Sequence, residues 1–354
     1  MKLCDIDPNF RADNTTDRPD IVWHNVKEAP FALYGLYRPQ EEDSFRRMPP
    51  QVARAASPGV CWLNENTAGG RVRFGTDSPY IAILCELERP VEARPHITRI
   101  ASQGFDLYAS AGGETEHYVA SFMPPLTNEM KYVAIRDIPT PGIRYYTLNF
   151  PLYGTVKNLY VGLAEGASLL PGLPYRNRKP AVFYGSSITQ GGCASRPGTC
   201  YQAFLSREWN MDYVNLGFAG AAKAEPAMID YLSSLDMSIF VCDYDYNSPT
   251  PEHLRRTLPL LYQAVRRAHP TLPIVFASSP GGTFGMERHD IVADVYQAAK
   301  KGGDEFVRFA DGMQMFGTAA LDCTVDGCHP TDLGFYLMYL AFAAQIKDFL
   351  PGME

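Results

Sequence analysis

Residues 181–192 read Ala-Val-Phe-Tyr-Gly-Ser-Ser-Ile-Thr-Gln-Gly-Gly, an apolar run followed by a turn of small and hydroxyl-bearing residues. A short, continuous apolar run predicts a strand that is buried on both faces of a parallel sheet. The polar residues after it would lie beyond the carboxyl end of that strand, where open parallel sheets bind their ligands. This stretch therefore predicts a fold class and the place of a functional site together.

The rest of the C-terminal half repeats this alternation of apolar strand and amphipathic helix. Five such units predict a doubly wound, flavodoxin-like α/β domain, a five-stranded parallel sheet with helices on both faces. The predicted strands are 181–184, 213–216, 239–242, 274–277 and 306–309. The predicted helices are roughly 199–209, 222–235, 251–268, 286–301 and 332–348.

The N-terminal half has a different pattern, in which apolar and polar residues alternate with period two between turns rich in Gly, Pro, Asn and Asp. Short strands at this spacing predict a β-sandwich, jelly-roll-like in kind. A chain of 354 residues also exceeds what one core usually organises. We predict a sandwich domain at 1–168, a stiff Pro- and Gly-rich linker at 169–180, and the α/β domain at 181–354.

Composition limits the partners. The formal charge is −7 and no long run of Lys or Arg occurs, which argues against nucleic acid and anionic membranes as partners. No stretch of about 18 apolar residues is present, so a transmembrane helix is not expected. The polar start, residues 1–7, lacks the apolar core of a secretory signal and predicts a cytoplasmic protein. A secreted chain trimmed of its signal would look the same.

The eight cysteines do not form a disulfide framework of the kind that small secreted domains use. Cys85 and Cys242 lie in apolar strand-like runs and are expected to be buried. The remaining possibility is a disulfide among the four loop cysteines near the motifs below, and the sequence leaves it open. No Cys-x-x-Cys pair or His cluster occurs, so neither a metal nor an organic cofactor is expected. The four loop cysteines are Cys193, Cys200, Cys323 and Cys328.

The first candidate for chemistry is Ser187, on the turn after the first predicted strand. Gly185 permits a sharp backbone course, and the helix that begins here offers N–H groups and a positive dipole end to a developing oxyanion. The arrangement is that of a nucleophile elbow, although Thr189 replaces the second Gly of Gly-x-Ser-x-Gly. The alternative is a plain turn with helix-capping hydroxyls, and Ser186 is a rival nucleophile.

The second candidate is the stretch 326–334, Asp-Gly-Cys-His-Pro-Thr-Asp-Leu-Gly. Pro330 keeps His329 out of a helix interior, so the imidazole is held on a loop just before the last helix. Asp326, three residues earlier, is placed to bind one ring nitrogen while the other faces a nucleophile. A surface loop with a capping His is the alternative, but this loop and the serine turn support each other.

Two further strand ends carry candidate oxyanion donors. Gly220, in a run of small residues after the second strand, offers a backbone N–H, and Asn247, after the third strand, offers a side-chain N–H. For both residues an ordinary turn role is an equally good interpretation of the sequence.

These four clusters, in this order, resemble the SGNH/GDSL hydrolase superfamily, which is named for Ser, Gly, Asn and His in four blocks. The resemblance assigns Ser187, Gly220, Asn247 and His329 to those blocks and Asp326 to the triad acid. Residues 104–108, Gly-Phe-Asp-Leu-Tyr, resemble the GxDLY signature of the β-domain that precedes one bacterial branch of these enzymes. The departures are Gly-Ser-Ser in place of Gly-Asp-Ser, and a third block without the usual Gly-x-Asn-Asp.

The resemblance implies a serine esterase with a Ser187–His329–Asp326 triad and an oxyanion hole made by Ser187, Gly220 and Asn247. It implies a shallow site, no cofactor, and carboxylic esters as substrates, with O-acetyl groups on oligosaccharides as the leading expectation. A lipase, thioesterase or arylesterase with the same triad, and a noncatalytic carbohydrate-binding protein, are the alternatives. A homo-oligomer is possible, and the role of the N-terminal half stays open between substrate wall, carbohydrate module and oligomerisation surface.

Overall fold

The computed structural model describes residues 18–352 apart from residues 93, 114, 128, 178, 283 and 284. Cys4, the polar start at residues 1–7 and the first part of the predicted 1–168 domain lie outside the described residues. Among the described residues, no helix combines the length and apolarity needed to cross a membrane.

The N-terminal half is a sandwich of two antiparallel sheets, as the period-two pattern predicts. Strands β1, β9, β4 and β7 form one sheet in that order, and β10, β3, β8, β5 and β6 form the other, with β2 added beside β3. Alternate side chains of both sheets meet in a continuous apolar core that includes Phe74, Ile83, Leu107 and Val161. The strands are β1 Ile21–Asn25, β2 Ala32–Tyr34, β3 Arg71–Thr76, β4 Tyr80–Leu87, β5 Phe105–Ser110, β6 His117–Phe122, β7 Lys131–Asp137, β8 Arg144–Asn149, β9 Val156–Ala164 and β10 Leu169–Pro171.

The C-terminal half contains the predicted parallel sheet, and the predicted fold class is confirmed. Its strands lie in the order β12-β11-β13-β14-β15, which is the flavodoxin-like order 2-1-3-4-5. Large apolar clusters cover both faces, so each strand is buried on both sides. The strands are β11 Ala181–Gly185, β12 Tyr213–Gly217, β13 Ile239–Asp243, β14 Ile274–Ala277 and β15 Val307–Ala310.

Helices connect these strands close to the predicted positions. The helix predicted at 222–235 begins later, because Pro226 stands at its first position and Ala224 has a positive φ of 51°. The described helices are α1 Pro50–Ala56, α2 Pro58–Leu63, α3 Arg99–Gln103, α4 Ser187–Gln190, α5 Tyr201–Trp209, α6 Pro226–Ser234, α7 Pro251–Ala268, α8 Met286–Lys301, α9 Gly312–Met315 and α10 Asp332–Ile346. Short 3₁₀ segments occupy Pro197–Thr199, Asp245–Asn247, Pro280–Gly282, Gly317–Cys323 and Lys347–Gly352.

The two halves share a core, which the sequence pattern does not predict. Helices α1 and α2 leave the sandwich and place Ala53, Val60 and Leu63 in the apolar cluster that covers one face of the parallel sheet. The Arg47 guanidinium is buried between the halves, where it donates to the Gly217 carbonyl at 2.5 Å. The first residues of the predicted linker form β10, which pairs with β3 in the sandwich.

Candidate active site

The serine turn begins where β11 ends. A Cβ on Gly185 would lie 1.8 Å from a carboxylate oxygen of Asp243, so glycine is required by close approach and not by a positive φ. Ser186 is fully buried and its hydroxyl accepts the Ile188 N–H at 3.1 Å, as the N-cap of α4. The capping role belongs to Ser186, and the partly exposed Ser187 carries its hydroxyl at the first position of the helix.

A buried carboxylate supports this turn from beneath. Asp243, at the end of β13, accepts hydrogen bonds from the Thr189 hydroxyl and, at 3.1 Å, from the Tyr201 hydroxyl. Burial, with the nearby charge of Asp245, raises the pKa of Asp243 to about 7 despite these bonds. Thr189, where a nucleophile elbow usually has its second glycine, therefore ties the serine turn to the neighbouring strand.

The histidine loop folds back on itself between Cys323 and α10. Gly327 adopts a φ of +82°, which turns the chain so that Val325 N–H reaches the His329 carbonyl at 2.8 Å. The Thr331 hydroxyl caps α10 by accepting the Gly334 N–H, and a Cβ on Gly334 would lie 2.4 Å from the Cys323 carbonyl oxygen. These contacts fix the loop at the carboxyl edge of the sheet.

The loop brings the three predicted triad residues into one hydrogen-bonded line. Ser187 Oγ lies 2.9 Å from His329 Nε2, and His329 Nδ1 lies 2.8 Å from Asp326 Oδ2. Partial burial alone would raise the pKa of Asp326, but hydrogen bonds from the His329 ring and from the N–H groups of His329 and Cys328 hold it below its usual value. Asp326 is therefore ionised at neutral pH, and the arrangement permits proton transfer from Ser187 to His329.

Two of the three predicted oxyanion-hole residues, Gly220 and Asn247, contact each other. Gly220, at a φ of +68°, donates its N–H to Asn247 Oδ1 at 3.1 Å, and Asn247 Nδ2 donates to the Phe218 carbonyl at 2.7 Å. One Nδ2 hydrogen of Asn247 remains for another acceptor. In this structure the Gly220 N–H is occupied, so it reaches a substrate oxygen only by leaving Asn247.

The sandwich supplies one side of the site, which the motifs do not predict. The His96 and His329 ring centroids are 5.8 Å apart. A Cβ on Gly192 would lie 3.0 Å from His329 Cδ2 and 3.1 Å from the Tyr153 hydroxyl, so this glycine is held between the two domains. Gln190 of α4 donates to Asn66 Oδ1 at 3.1 Å. Residues of the first half thus lie against the serine turn and the His329 ring.

The loop after α4 is clamped from two sides. Asp332, at the start of α10, accepts bonds from Ser195 N–H and from the Thr199 hydroxyl, both at 2.8 Å. From the sandwich, Asp106 accepts the Gly198 N–H at 2.8 Å and Tyr108 donates to the Gly198 carbonyl at 3.3 Å. Asp106 and Tyr108 belong to the 104–108 motif, so the sequence contained a signal for this contact without revealing its partner.

Three aromatic residues of the first half, Trp23, Trp62 and Tyr108, could be either core residues of the sandwich or platforms for sugar rings. Tyr108 is 3% exposed and is such a core residue. Trp23 is half-buried and packs on Gly162. Trp62, in α2, is 58% exposed, and the Arg89 guanidinium lies over one face of its ring, 3.4 Å from the centroid. Tyr108 therefore cannot stack on a sugar ring, whereas Trp62 stays exposed to solvent.

All seven cysteines in the described part of the chain are free thiols, including the four loop cysteines. Burial and the charge of Asp326 raise the pKa of Cys193 to about 12, so it is no rival nucleophile at neutral pH. Cys193 does belong to one group of potential metal ligands, with His96, Asp326 and His329.

A separate cavity of about 490 Å³ between α7 and α8 is lined by Tyr262, Val295 and their neighbours and by none of the triad residues.

Two family models match the chain, one for each half. Residues 178–347 match the GDSL-like lipase/acylhydrolase family, and residues 21–169 match the N-terminal domain of SGNH-hydrolase-type esterases, named GxDLY. No curated protein matches the chain.

Solved structures resemble nearly the whole chain. A GDSL-like lipase from Bacteroides ovatus is 28% identical with a TM-score of 0.84, and the match covers 94% of this chain and 98% of that one. The salicylyl-acyltransferase SsfX3 of a tetracycline biosynthetic pathway is 20% identical with a TM-score of 0.75, over 94% and 98%. An acetyl xylan esterase from Butyrivibrio proteoclasticus is 12% identical with a TM-score of 0.59, over 94% and 100%.

Proposed function

The chain belongs to the SGNH/GDSL hydrolases that carry an N-terminal GxDLY domain, and from this premise we propose that it removes O-acetyl groups from oligosaccharides. Carboxylic ester hydrolysis is the activity of this family of esterases. The single observation that carries the catalytic proposal is the line from Ser187 Oγ through His329 to Asp326, with contacts of 2.9 and 2.8 Å.

In the first half-reaction, Ser187 Oγ attacks the ester carbonyl carbon while His329 Nε2 takes its proton. Asp326 binds Nδ1–H, which fixes the tautomer and stabilises the imidazolium. The tetrahedral intermediate collapses as the C–O bond to the sugar breaks, and His329 gives its proton to the leaving alkoxide oxygen. The acyl group is then bound to Ser187 as an ester.

The oxyanion is held by the Ser187 N–H and the second Nδ2 hydrogen of Asn247. The Gly220 N–H becomes a third donor when it leaves Asn247 Oδ1 and donates to the substrate oxygen instead. Each donor contributes on the order of 3 kcal/mol to the transition state. In the second half-reaction, His329 takes a proton from water, the hydroxide attacks the acyl carbon, and the proton returns to Ser187 as the acid leaves.

The acetyl-sugar assignment is supported by the surroundings of Ser187. The sandwich places the partly exposed His96 ring beside His329, and this polar side of the site suits a hydroxylated leaving group better than a long acyl chain. Among structures of the same fold, one is described as an acetyl xylan esterase. A small acyl group on a polar alcohol is the substrate class that we propose.

The test is acetate release from an acetylated xylo-oligosaccharide by the native protein and by Ser187→Ala. Release that disappears in a folded Ser187→Ala variant supports the proposal. Hydrolysis of long-chain or aryl esters in preference to acetyl sugars would reject the substrate class and favour the lipase or arylesterase alternative. If a fluorophosphonate fails to label Ser187 and no ester is cleaved, the results favour the alternative of a noncatalytic carbohydrate-binding protein.

A further inference from the structure

Four side chains with metal-binding atoms converge beside Ser187. They come from three separate segments and from both domains: His96 of the sandwich, Cys193 after α4, and Asp326 with His329 on the histidine loop. One donor atom from each residue can be chosen so that all four lie within 4.8 Å of one another. The spacing of these residues in the sequence gives no metal-binding pattern, because tertiary structure alone assembles the group.

The donor set selects the kind of metal. Two imidazoles, one carboxylate and a thiol that releases its proton on coordination form a mixed nitrogen, oxygen and sulfur set, which suits Zn²⁺ better than Mg²⁺ or Ca²⁺, since these prefer oxygen alone. Tetrahedral zinc with bonds of about 2.0 to 2.3 Å holds its ligand atoms roughly 3.3 to 3.7 Å apart. The present spacing therefore requires the ligand atoms to move about 1 Å closer together when the metal binds.

The accessibility of the group fits an ion that enters from solvent. The Asp326 side chain is 37% exposed and that of His329 is 21% exposed, whereas Cys193 lies deeper at 7%. Among the described residues, neither the His96 ring nor the Cys193 thiol has a hydrogen-bond partner. These two side chains are thus available as ligands without the loss of an existing hydrogen bond.

Metal binding and catalysis would compete for the same atoms. His329 Nε2 contacts Ser187 and Nδ1 contacts Asp326, so either ring nitrogen that coordinates a metal leaves the triad. We propose that His96, Cys193, Asp326 and His329 form an inhibitory Zn²⁺ site, through which zinc switches the esterase off reversibly. The inhibition rests on the proposed function, whereas the binding does not.

Binding is tested first on Ser187→Ala, which lacks the nucleophile but keeps all four ligands. Calorimetry with Zn²⁺ is expected to give one site per chain, and Co²⁺ is expected to give a thiolate-to-cobalt charge-transfer band in the near ultraviolet. Adding Cys193→Ala removes that band, and adding His96→Ala weakens the affinity at least about 10-fold. No one-to-one binding by Ser187→Ala overturns the proposal whether or not the protein proves to be an esterase.

Inhibition is tested on proteins with an intact triad. Each variant is compared with its own metal-free rate, so a change in basal activity does not affect the result. Zn²⁺ is expected to inhibit the native protein and EDTA to restore it, with the inhibitory concentration raised at least about 10-fold in His96→Ala and in Cys193→Ala. His117→Ala and Cys61→Ser, which alter residues outside the group, serve as matched controls and keep the native sensitivity. If Zn²⁺ inhibits all five proteins equally, the proposed zinc site is wrong.

Discussion

Gly198, on the loop that follows the helix of Ser187, donates its backbone N–H to the Asp106 carboxylate of the sandwich at 2.8 Å. The same carboxylate accepts the Asn149 amide at 2.8 Å and is fully buried. Burial raises the pKa of Asp106 to about 6, although the Asn149 and Gly198 hydrogen bonds and the charges of Arg207 and Arg196 oppose that rise. The 104–108 motif thus connects the two domains at the edge of the site.

This contact predicts that Asp106→Asn weakens the association of the two domains and lowers the stability of the protein. One carboxylate oxygen accepts from Asn149 and the other from Gly198, so an amide must direct its NH₂ group at one of these donors. A buried donor left without an acceptor costs about 1 to 3 kcal/mol, and we expect that loss in the free energy of unfolding from denaturant titration. The exposed Asp137→Asn is the control and should change the value by about 0.5 kcal/mol or less. If the two variants were equally stable, the Asp106 contacts would not stabilise the association of the two domains.

The adjacent residues Ser186 and Ser187 lead to a second prediction. Ser187→Ala should lower kcat by at least about 10⁴-fold, because the nucleophile is lost while the helix cap remains. Ser186→Ala should instead cost about 1 kcal/mol of stability and keep most of the activity, since that hydroxyl only caps α4. Steady-state kinetics and thermal unfolding on both variants separate the two roles. Loss of activity in Ser186→Ala with full activity in Ser187→Ala would reverse the assignment.

Asp326 gives a third prediction, about orientation of the base. It accepts the His329 ring N–H and two backbone N–H groups, which an Asn side chain with one acceptor oxygen cannot all satisfy. Asp326→Asn is expected to lower kcat by about 10³- to 10⁴-fold with a smaller change in KM. Asp322→Asn, an exposed change on the preceding 3₁₀ segment, is the control. A kcat within about 3-fold of the native value would remove Asp326 from the triad.

Much of the fold follows from the sequence, because short apolar strands alternate with helices in one half and period-two strands fill the other. The Asp326–His329 spacing is local, so the sequence alone places that pair together. The serine turn is equally local, and its strand order brings it to the same edge of the sheet. These features depend on neighbours within a few residues or on the regular geometry of a parallel sheet.

Other features depend on contacts between distant segments. The period-two pattern of the first half predicts neither α1 nor α2, yet both helices complete the core of the other domain. His96 has no local signal at all, since only the docking of the sandwich brings its ring within 5.8 Å of the His329 ring. Likewise, the sequence does not reveal why residue 185 must be glycine. The reason is the closeness of Asp243 and not the φ of Gly185 itself.

The oxyanion donors lead to a fourth prediction. Asn247→Ala removes a donor and also releases the Gly220 N–H and the Phe218 carbonyl from their contacts with this side chain. We expect kcat to fall by about 10²- to 10³-fold with KM changed only a few-fold, because the donor acts in the transition state. Asn158→Ala, at an amide of the sandwich that bonds Glu86, should leave kcat unchanged. A fall in Asn247→Ala confined to KM would assign Asn247 to substrate binding instead.

The buried Asp243 leads to the last prediction, on stability and pH. In the folded protein its pKa is raised to about 7, whereas the carboxyl of an unfolded chain loses its proton near pH 3.9. Between pH 5 and 7 the folded state therefore binds more protons than the unfolded state, and the contribution of Asp243 to stability falls as the pH rises. The slope is at most about 1.4 kcal/mol per pH unit and falls by half at pH 7, so the native protein should lose about 2 kcal/mol relative to Asp243→Asn across this window. From about pH 8 the difference should become constant, because Asp243 is then ionised in both states. Denaturant titrations of both proteins at pH 5, 6, 7 and 8 measure it, and a difference that does not vary with pH would show that Asp243 is ionised beneath the serine turn throughout.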